Sequence, residues 1–337
     1  MPTLWSALSG LRVRIDDLAV ERRELQVSES FTRVTTSVVL HGGDETGEGE
    51  DVTYTPGDHE QFPDEEMLAG TWTLEEYSAR VDDLELWPGG TPQMDASVDY
   101  RRWAFESAAL DLALRQAGTS LAEALGRPYR PVRFVASTRR EIEPYRELDP
   151  ALEFKLDVDR DWDRALMQHL AETDRVRVLD LKAYYRGTSV DLPADPDLYR
   201  AVAESFPGVV IEDPWLEDGC REALAGAEDR LSFDAPIHSW ADVTSLPLEP
   251  RWLNIKPSRF GTMRKLLECI EECEARGIRM YGGGQFELGP GRRQIQRLAS
   301  VFYADGPNDV APSEYNDGPA REGLPTSPLP APDGDGF

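Results

Sequence analysis

Only four lysines occur among the 36 Lys and Arg residues of this 337-residue chain: Lys155, Lys182, Lys256 and Lys265. Arginine stays protonated in a protein, whereas a lysine can be tuned to release its proton and serve as a base. A chain that otherwise writes positive charge as arginine is expected to keep lysine where deprotonation or a compact ammonium matters. Short apolar runs end in a series of such residues. F-K-L-D carries Lys155, V-L-D-L-K carries Asp180 and Lys182, and V-V-I-E-D-P carries Glu212 and Asp213. L-S-F-D-A-P then carries Asp234, and L-N-I-K-P-S carries Lys256. Three carboxylates, Asp180, Glu212 and Asp234, can converge on one hard divalent ion, Mg²⁺ first and Mn²⁺ as an alternative. Flanking lysines Lys155 and Lys256 then suit removal of a proton beside a substrate carboxylate, with the ion neutralising the enediolate. Burial and nearby cationic charge are expected to lower the lysine pKa toward that task.

Such residues must be held at the ends of regular elements. From about Val132 the chain alternates short β-like runs with amphipathic helices. The runs are Val132–Ala136, Leu152–Leu156, Val176–Leu181, Val209–Glu212, Arg230–Asp234, Trp252–Lys256 and Gly277–Tyr281. Helical periodicity fills Asp161–Thr173, Pro196–Phe206 and Thr262–Arg276 between them. Strand starts recur about every twenty to thirty residues, the length a βα unit requires, and right-handed crossovers make the sheet parallel. Seven units in a row predict a closed β/α barrel, whose catalytic residues sit where strands end and loops begin. An open Rossmann sheet is the rival, but no G-x-G-x-x-G follows the first strand.

The first 127 residues read differently. Apolar alternation in Leu11–Leu18 and Arg33–Leu40 predicts antiparallel strands, and His41–Glu50 reads as a turn-rich loop before strand character returns at Asp51–Tyr54. Leu74–Leu84 and Asp99–Ala117 read as helices, the second stopped by Gly118. The division expected is 1–127, an α+β domain, and 128–304, the barrel. The Pro- and Gly-rich segment 305–337, most marked from Asp317, is expected to pack on the first domain or to be disordered.

A formal charge of −27 repels nucleic acid and anionic membrane, so neither is expected as a partner. It fits a solvated acidic surface of the kind a salt-adapted organism uses. No run reaches the length of a membrane span, and the start, Met1-Pro2-Thr3-Leu4-Trp5, lacks a signal pattern. A cytoplasmic location is therefore expected. Cys220, Cys269 and Cys273 lack companion ligands for a metal and read as reduced thiols.

On these residues the chain resembles the muconate lactonizing enzyme and mandelate racemase branch of the enolase superfamily. Trp103–Gly118 (W-A-F-E-S-A-A-L-D-L-A-L-R-Q-A-G) is similar to the family helix that precedes the barrel, and T-G-E-G-E-D around Gly47 and Gly49 to a glycine-rich turn of its capping domain. The resemblance implies an α+β capping domain over a modified (β/α)₇β TIM-type barrel. It implies Lys155 and Lys256 as an acid/base pair on opposite faces of a small carboxylic acid, and Asp180, Glu212 and Asp234 as Mg²⁺ ligands. It leaves epimerisation, cycloisomerisation and dehydration open, and a homo-oligomer is expected. Two departures stand out. Glu153 replaces the first lysine of the family's K-x-K, and Lys182 replaces an asparagine two residues after Asp180. They favour, as the alternative, a non-catalytic barrel serving as a binding or structural module.

The remaining candidates are weaker. Lys182 either meets a second acidic group of the substrate or neutralises Asp180 or Glu153. Asp213-Pro214 reads as a turn start. Tyr281–Arg292 (Y-G-G-G-Q-F-E-L-G-P-G-R) lacks the Lys-Ser/Thr ending of a nucleotide cradle. Its glycines are read as letting backbone approach the substrate, with Gln285 and Glu287 beside it. His238, just beyond Asp234, is a candidate substrate contact, as is His59 in the P-G-D-H-E-Q-F loop, which could close over the barrel mouth. No His stands on the seventh strand, which argues against the His-dependent racemase form.

Overall fold

β-Branched residues crowd Arg33–Val39, and the backbone there is extended and buried on both faces, as such side chains favour. The computed structural model describes residues 3–29, 31–63, 68–139, 141–186, 191–316 and 318–337, so Met1-Pro2 and Asp317 lie outside the described residues. The first half runs α1 (Leu4–Leu8), β1 (Arg12–Ile15), β2 (Asp17–Ser28), β3 (Phe31–Gly42), β4 (Glu45–Asp51), β5 (Gly70–Thr73), α2 (Leu74–Asp82), α3 (Ser97–Gln116) and α4 (Leu121–Ala124). Strands β2, β3 and β4 form an antiparallel meander, and β1 pairs antiparallel with β5. Thr73 starts α2 with a capping box: its hydroxyl accepts from the Glu76 N–H while the Glu76 carboxylate accepts from the Thr73 N–H.

The polar stretch expected to be a loop is instead strand β4. Its glycines face α3, whose residues from Trp103 to Leu114 are almost all buried. A Cβ on Gly47 would lie 2.4 Å from the Ala108 carbonyl oxygen, and one on Gly49 only 2.0 Å from that of Ala104. Composition that reads as a turn is here the condition for a strand to lie flush on a helix. Gly49→Ala is expected to destabilise the fold by about 1–3 kcal/mol, since helix backbone cannot move aside as a side chain can. Urea unfolding at constant m-value measures it.

The second half alternates β6 (Val135–Thr138), α5 (Glu143–Leu148), β7 (Glu153–Asp157), α6 (Arg164–Glu172), β8 (Val176–Asp180), α7 (Pro196–Ser205) and β9 (Val210–Glu212). It continues with α8 (Cys220–Ala223), β10 (Leu231–Phe233), α9 (Trp240–Thr244), β11 (Trp252–Ile255), α10 (Met263–Arg276), β12 (Arg279–Gly282) and α11 (Pro290–Phe302). Strands β6 to β12 lie side by side in sequence order, all parallel. Asn308-Asp309 joins the two ends: Asn308 bridges Phe134, and Asp309 bridges Gly283. Two backbone bonds seal this join, Val135 N–H to Asn308 O at 2.9 Å and Asp309 N–H to Gly282 O at 2.7 Å. The sheet thus curls into a (β/α)₇β barrel, with an eighth stave of two residues.

Helices cover the outside of the barrel. Inside, Val178, Val210 and Tyr281 form a small apolar cluster with Trp252, separate from the main core. The Pro- and Gly-rich tail is tied down: Leu329 pairs with Val132, and the Phe337 N–H donates to Asp111 Oδ1 at 2.7 Å. The three cysteines are buried free thiols. Among the described residues no helix is long and apolar enough to cross a membrane.

Candidate active site

Strand residues two apart point to the same side of a sheet, and here that parity selects the lumen. Val178 and Val210 belong to the interior cluster, so Asp180 and Glu212, two residues on, stand one layer higher, at the C-terminal mouth. Ser232 and Asn254 take the same inner parity, which brings Asp234 and Lys256 to the rim. Lys155 rises on β7 between Glu153 below and Asp157 above. With eight staves in the ring, β7 and β11 are four apart, so Lys155 and Lys256 face each other across the barrel axis. Asp180, Glu212 and Asp234 fill the arc between them, on β8, at the end of β9 and just past β10. All five are buried.

Each carboxylate is already paired. Lys155 Nζ contacts Glu212 Oε1 and lies 3.4 Å from Asp180 Oδ2 and 3.7 Å from Asp309 Oδ2. Lys182 Nζ sits 2.6 Å from Asp180 Oδ2 and 3.1 Å from Asp157 Oδ1. Lys256 Nζ is 2.7 Å from Asp234 Oδ2, and Arg259 Nε is 3.4 Å from Asp234 Oδ1. Tyr281 and Asn254 donate to the second oxygen of Glu212, Asn254 at 3.1 Å. Tyr281 is held in turn by Ser232 at 3.0 Å.

The electrostatics follow from this pairing. Burial alone would push both lysines toward neutrality, but the adjoining carboxylates outweigh it. Glu212 and Asp180 hold Lys155 well above the usual lysine range, and Asp234 holds Lys256 above it. The sequence-based expectation of lowered lysine pKa values is therefore corrected: the ammonium groups sit on anions rather than beside other cations. Burial pushes Glu212 up to about 8 and Asp213 up to about 7, with neighbouring carboxylates adding to the rise. Burial also works against ionisation of Asp180, yet Lys182 and Lys155 bring it below the ordinary range. Burial is likewise overcome at Asp234, which Arg259 and Lys256 lower to about 2.

A divalent ion can be weighed against these groups. The donor chemistry fits: Asp180, Glu212 and Asp234 offer hard oxygens on adjacent staves, and Asp234 Oδ1 is buried without a hydrogen-bond partner among the described residues. With every group ionised, Asp157, Asp180, Glu212, Asp213, Asp234 and Asp309 outnumber Lys155, Lys182, Lys256 and Arg259 by two, and the raised pKa values of Glu212 and Asp213 mean that a cation would bind there with release of protons. The spacing is set by the lysines instead. Among the described residues no three His, Cys, Asp or Glu side chains are grouped as a metal-ion site.

The other candidates fall into place around this ring. Glu153 accepts from Arg133 and Arg177, both at 2.7 Å, below the site, so it is not a partner of Lys182. Gln285 and Glu287 are buried on the β12 exit. Gln285 reaches the Tyr100 hydroxyl at 3.2 Å, and Glu287 meets Arg292 at 3.1 Å. The exit is anchored to the capping sheet, because Glu50 accepts from the N–H groups of Leu288, Gly289 and Gly291, and Arg33 donates to the carbonyls of Gln285 and Phe286. His238 pairs with Asp99 at 3.1 Å, joining the β10 exit to α3. His59 lies buried inside the capping half, its ring nitrogens engaged by Thr36 Oγ1 and the Thr53 carbonyl, both at 2.9 Å. Burial lowers its pKa, which keeps the ring neutral. Asp213, read as a turn start, is fully buried: its carboxylate accepts from the N–H groups of Asp234 and Ala235 and so braces the neighbouring strand end.

Several residues of the site escaped the reading of strand ends. Asp157 and Asn254 share the lumen parity of Lys155 and Lys256, a signal that was available. Arg259 lies beyond a strand end and Asp309 on the two-residue eighth stave, where no periodicity points inward. Gly283 is explained as well, since a Cβ there would lie 2.9 Å from Lys256 Cε.

Residues 128–317 match the family model described as the C-terminal domain of DUF8230, a domain of unknown function, and residues 6–124 match the model of the N-terminal domain of DUF8230. No curated protein matches the chain. Muconate lactonizing enzyme from Pseudomonas fluorescens, solved with muconolactone, is 17% identical with a TM-score of 0.65, and 95% of each chain is covered. Muconate lactonizing enzyme from Klebsiella pneumoniae is 18% identical with a TM-score of 0.64, over 88% of this chain and 87% of that one. A member of the enolase superfamily from Listeria innocua is 17% identical with a TM-score of 0.62, over 90% and 86%. At such identities the likeness is one of fold.

Proposed function

This chain belongs to the DUF8230 family, and we propose that it abstracts a proton alpha to the carboxylate of a small carboxylic acid, as an enolase-type lyase or isomerase. One observation carries the reading: three buried carboxylates on adjacent staves span the arc between two lysines that face each other across the barrel axis. Asp180, Glu212 and Asp234 would hold Mg²⁺ or Mn²⁺, which supplies positive charge where the substrate carboxylate gathers negative charge. Lys155 and Lys256 approach the alpha carbon from opposite sides. Asp180, Glu212 and Asp234, once drawn to an ion, would no longer keep both amines protonated, so that one, neutral, takes the proton and the other, as ammonium, is able to return one. Tyr281 and Asn254 keep Glu212 aimed into the mouth. Asp213 does the same for Asp234 through the backbone. Gln285 and Arg259 line the rim where a polar substrate end would lie. Epimerisation, cycloisomerisation and dehydration all begin with this proton removal. A cytoplasmic homo-oligomer, divided near residue 127 into cap and barrel, completes the proposal.

A second reading is favoured by the ion pairing itself. With every carboxylate holding a lysine or arginine, the barrel could serve as a binding or structural module without catalysis. The test is deuterium incorporation at the alpha carbon of a panel of carboxylic acids in D₂O, followed by NMR with and without Mg²⁺ or Mn²⁺. Metal-dependent exchange on at least one acid is the expected result. Metal binding without exchange across a broad panel would replace the catalytic reading with the module.

A further inference from the structure

We propose that Lys182 is a resident counter-cation of the metal seat, and that Asp157 receives its ammonium group when a divalent ion takes Asp180. The inference rests on the metal-dependent reading above. Lys182 grips Asp180 at both oxygens: its backbone N–H donates to Oδ1 at 2.9 Å and its Nζ to Oδ2 at 2.6 Å. This double hold depends on a left-handed backbone at Lys182, with φ +52°, which turns the side chain back over its own strand end. A non-glycine residue adopts that conformation at a cost, which the chain meets here to return the amine to Asp180.

Asp157 is built as the second seat. It stands opposite Asp180 in the β7–β8 register, and its Oδ1 is already 3.1 Å from the same Nζ. A short swing about the lysine side chain would therefore exchange one carboxylate for the other. The Tyr185 ring, 5.4 Å from Nζ, borders the same space and favours a cation there in either position. An ammonium and a divalent ion cannot both occupy Asp180 Oδ2, since like charges in a buried site repel strongly. Binding of the ion and the Lys182–Asp180 pair are thus competitive, and Asp157 sets how cheaply the lysine yields.

Calorimetric titration of Mn²⁺ and Mg²⁺ into the full chain tests this directly. Lys182→Gln is expected to tighten binding about tenfold or more, as is Lys182→Asn, whose amide keeps a donor for Asp180 should the first variant fold poorly. Asp157→Asn is expected to weaken binding by about the same factor, because the displaced ammonium loses its seat. In Lys182→Gln/Asp157→Asn that weakening should vanish. A simple loss of negative charge near the ion would leave the Asp157 effect intact in the double variant. Metal binding by the wild type that neither Lys182 variant tightens overturns the inference and leaves the proposed function standing. An absence of metal binding in all five proteins overturns both.

Discussion

Lys256→Ala is expected to slow metal-dependent proton exchange by about 10²–10⁴-fold, the range associated with removal of a positioned acid or base. The structure makes this the cleaner of the two lysine variants. Asp234, the partner of Lys256, keeps Arg259 3.4 Å away when the lysine is gone. Lys155→Ala should lose exchange to a similar degree but also lose stability, because Glu212 and Asp180 share that ammonium deep in the barrel. The two variants should further differ in stereochemistry. Side chains that approach from opposite faces serve opposite enantiomers, so each variant should lose exchange mainly from one enantiomer of a chiral acid. NMR of each enantiomer in D₂O, alongside thermal denaturation, separates the catalytic loss from the structural one. Equal exchange from both enantiomers in either variant would contradict the facing arrangement.

The second large effect concerns Arg101, which is fully buried in α3. Its Nε donates to Asp51 Oδ2 at 2.9 Å, and Nη1 donates to the carbonyls of Gln61 and Leu86, each at 2.9 Å. Nη2 donates to the Asp58 carbonyl. The guanidinium also lies over the rings of Trp87 at 3.6 Å and Phe62 at 4.3 Å. One side chain thereby ties the end of β4, the loop with His59 and the segment before α3 to a single helix. Arg101→Met should cost about 3–5 kcal/mol, because Asp51 is left as an uncompensated buried charge. Arg101→Lys should recover only part, since an ammonium cannot reproduce a planar fork of five donors. Adding Asp51→Asn to Arg101→Met should cost less than the sum of the two single changes, because it removes the orphaned charge. Urea unfolding of the wild type and the four variants, Asp51→Asn alone among them, measures these differences. A cost near zero for Arg101→Met would show that the capping loop does not depend on this anchor.

Much of the barrel was legible before any coordinates. Apolar runs bounded by helical periodicity are local properties, and all seven parallel strands fall where those runs stand. The same holds for α2, α3, α7 and α10, each begun or ended by short-range signals. β4 was misread because glycine carries two meanings, a free turn or a close approach, and only the position of α3 distinguishes them. The eighth stave was invisible, since two residues carry no periodicity.

The residue types themselves settled that lysines and carboxylates would meet at the strand ends of a barrel, because a two-residue parity and a strand boundary are written in the chain. Their charge state was not written there. Whether a buried amine is pressed toward neutrality or held as a cation depends on which groups lie within a few ångströms in space. Lys155 found Glu212, Lys182 found Asp180 and Asp157, and Lys256 found Asp234. Coulomb energy in a buried site varies with distances that only barrel closure brings about, so tertiary structure alone decided it.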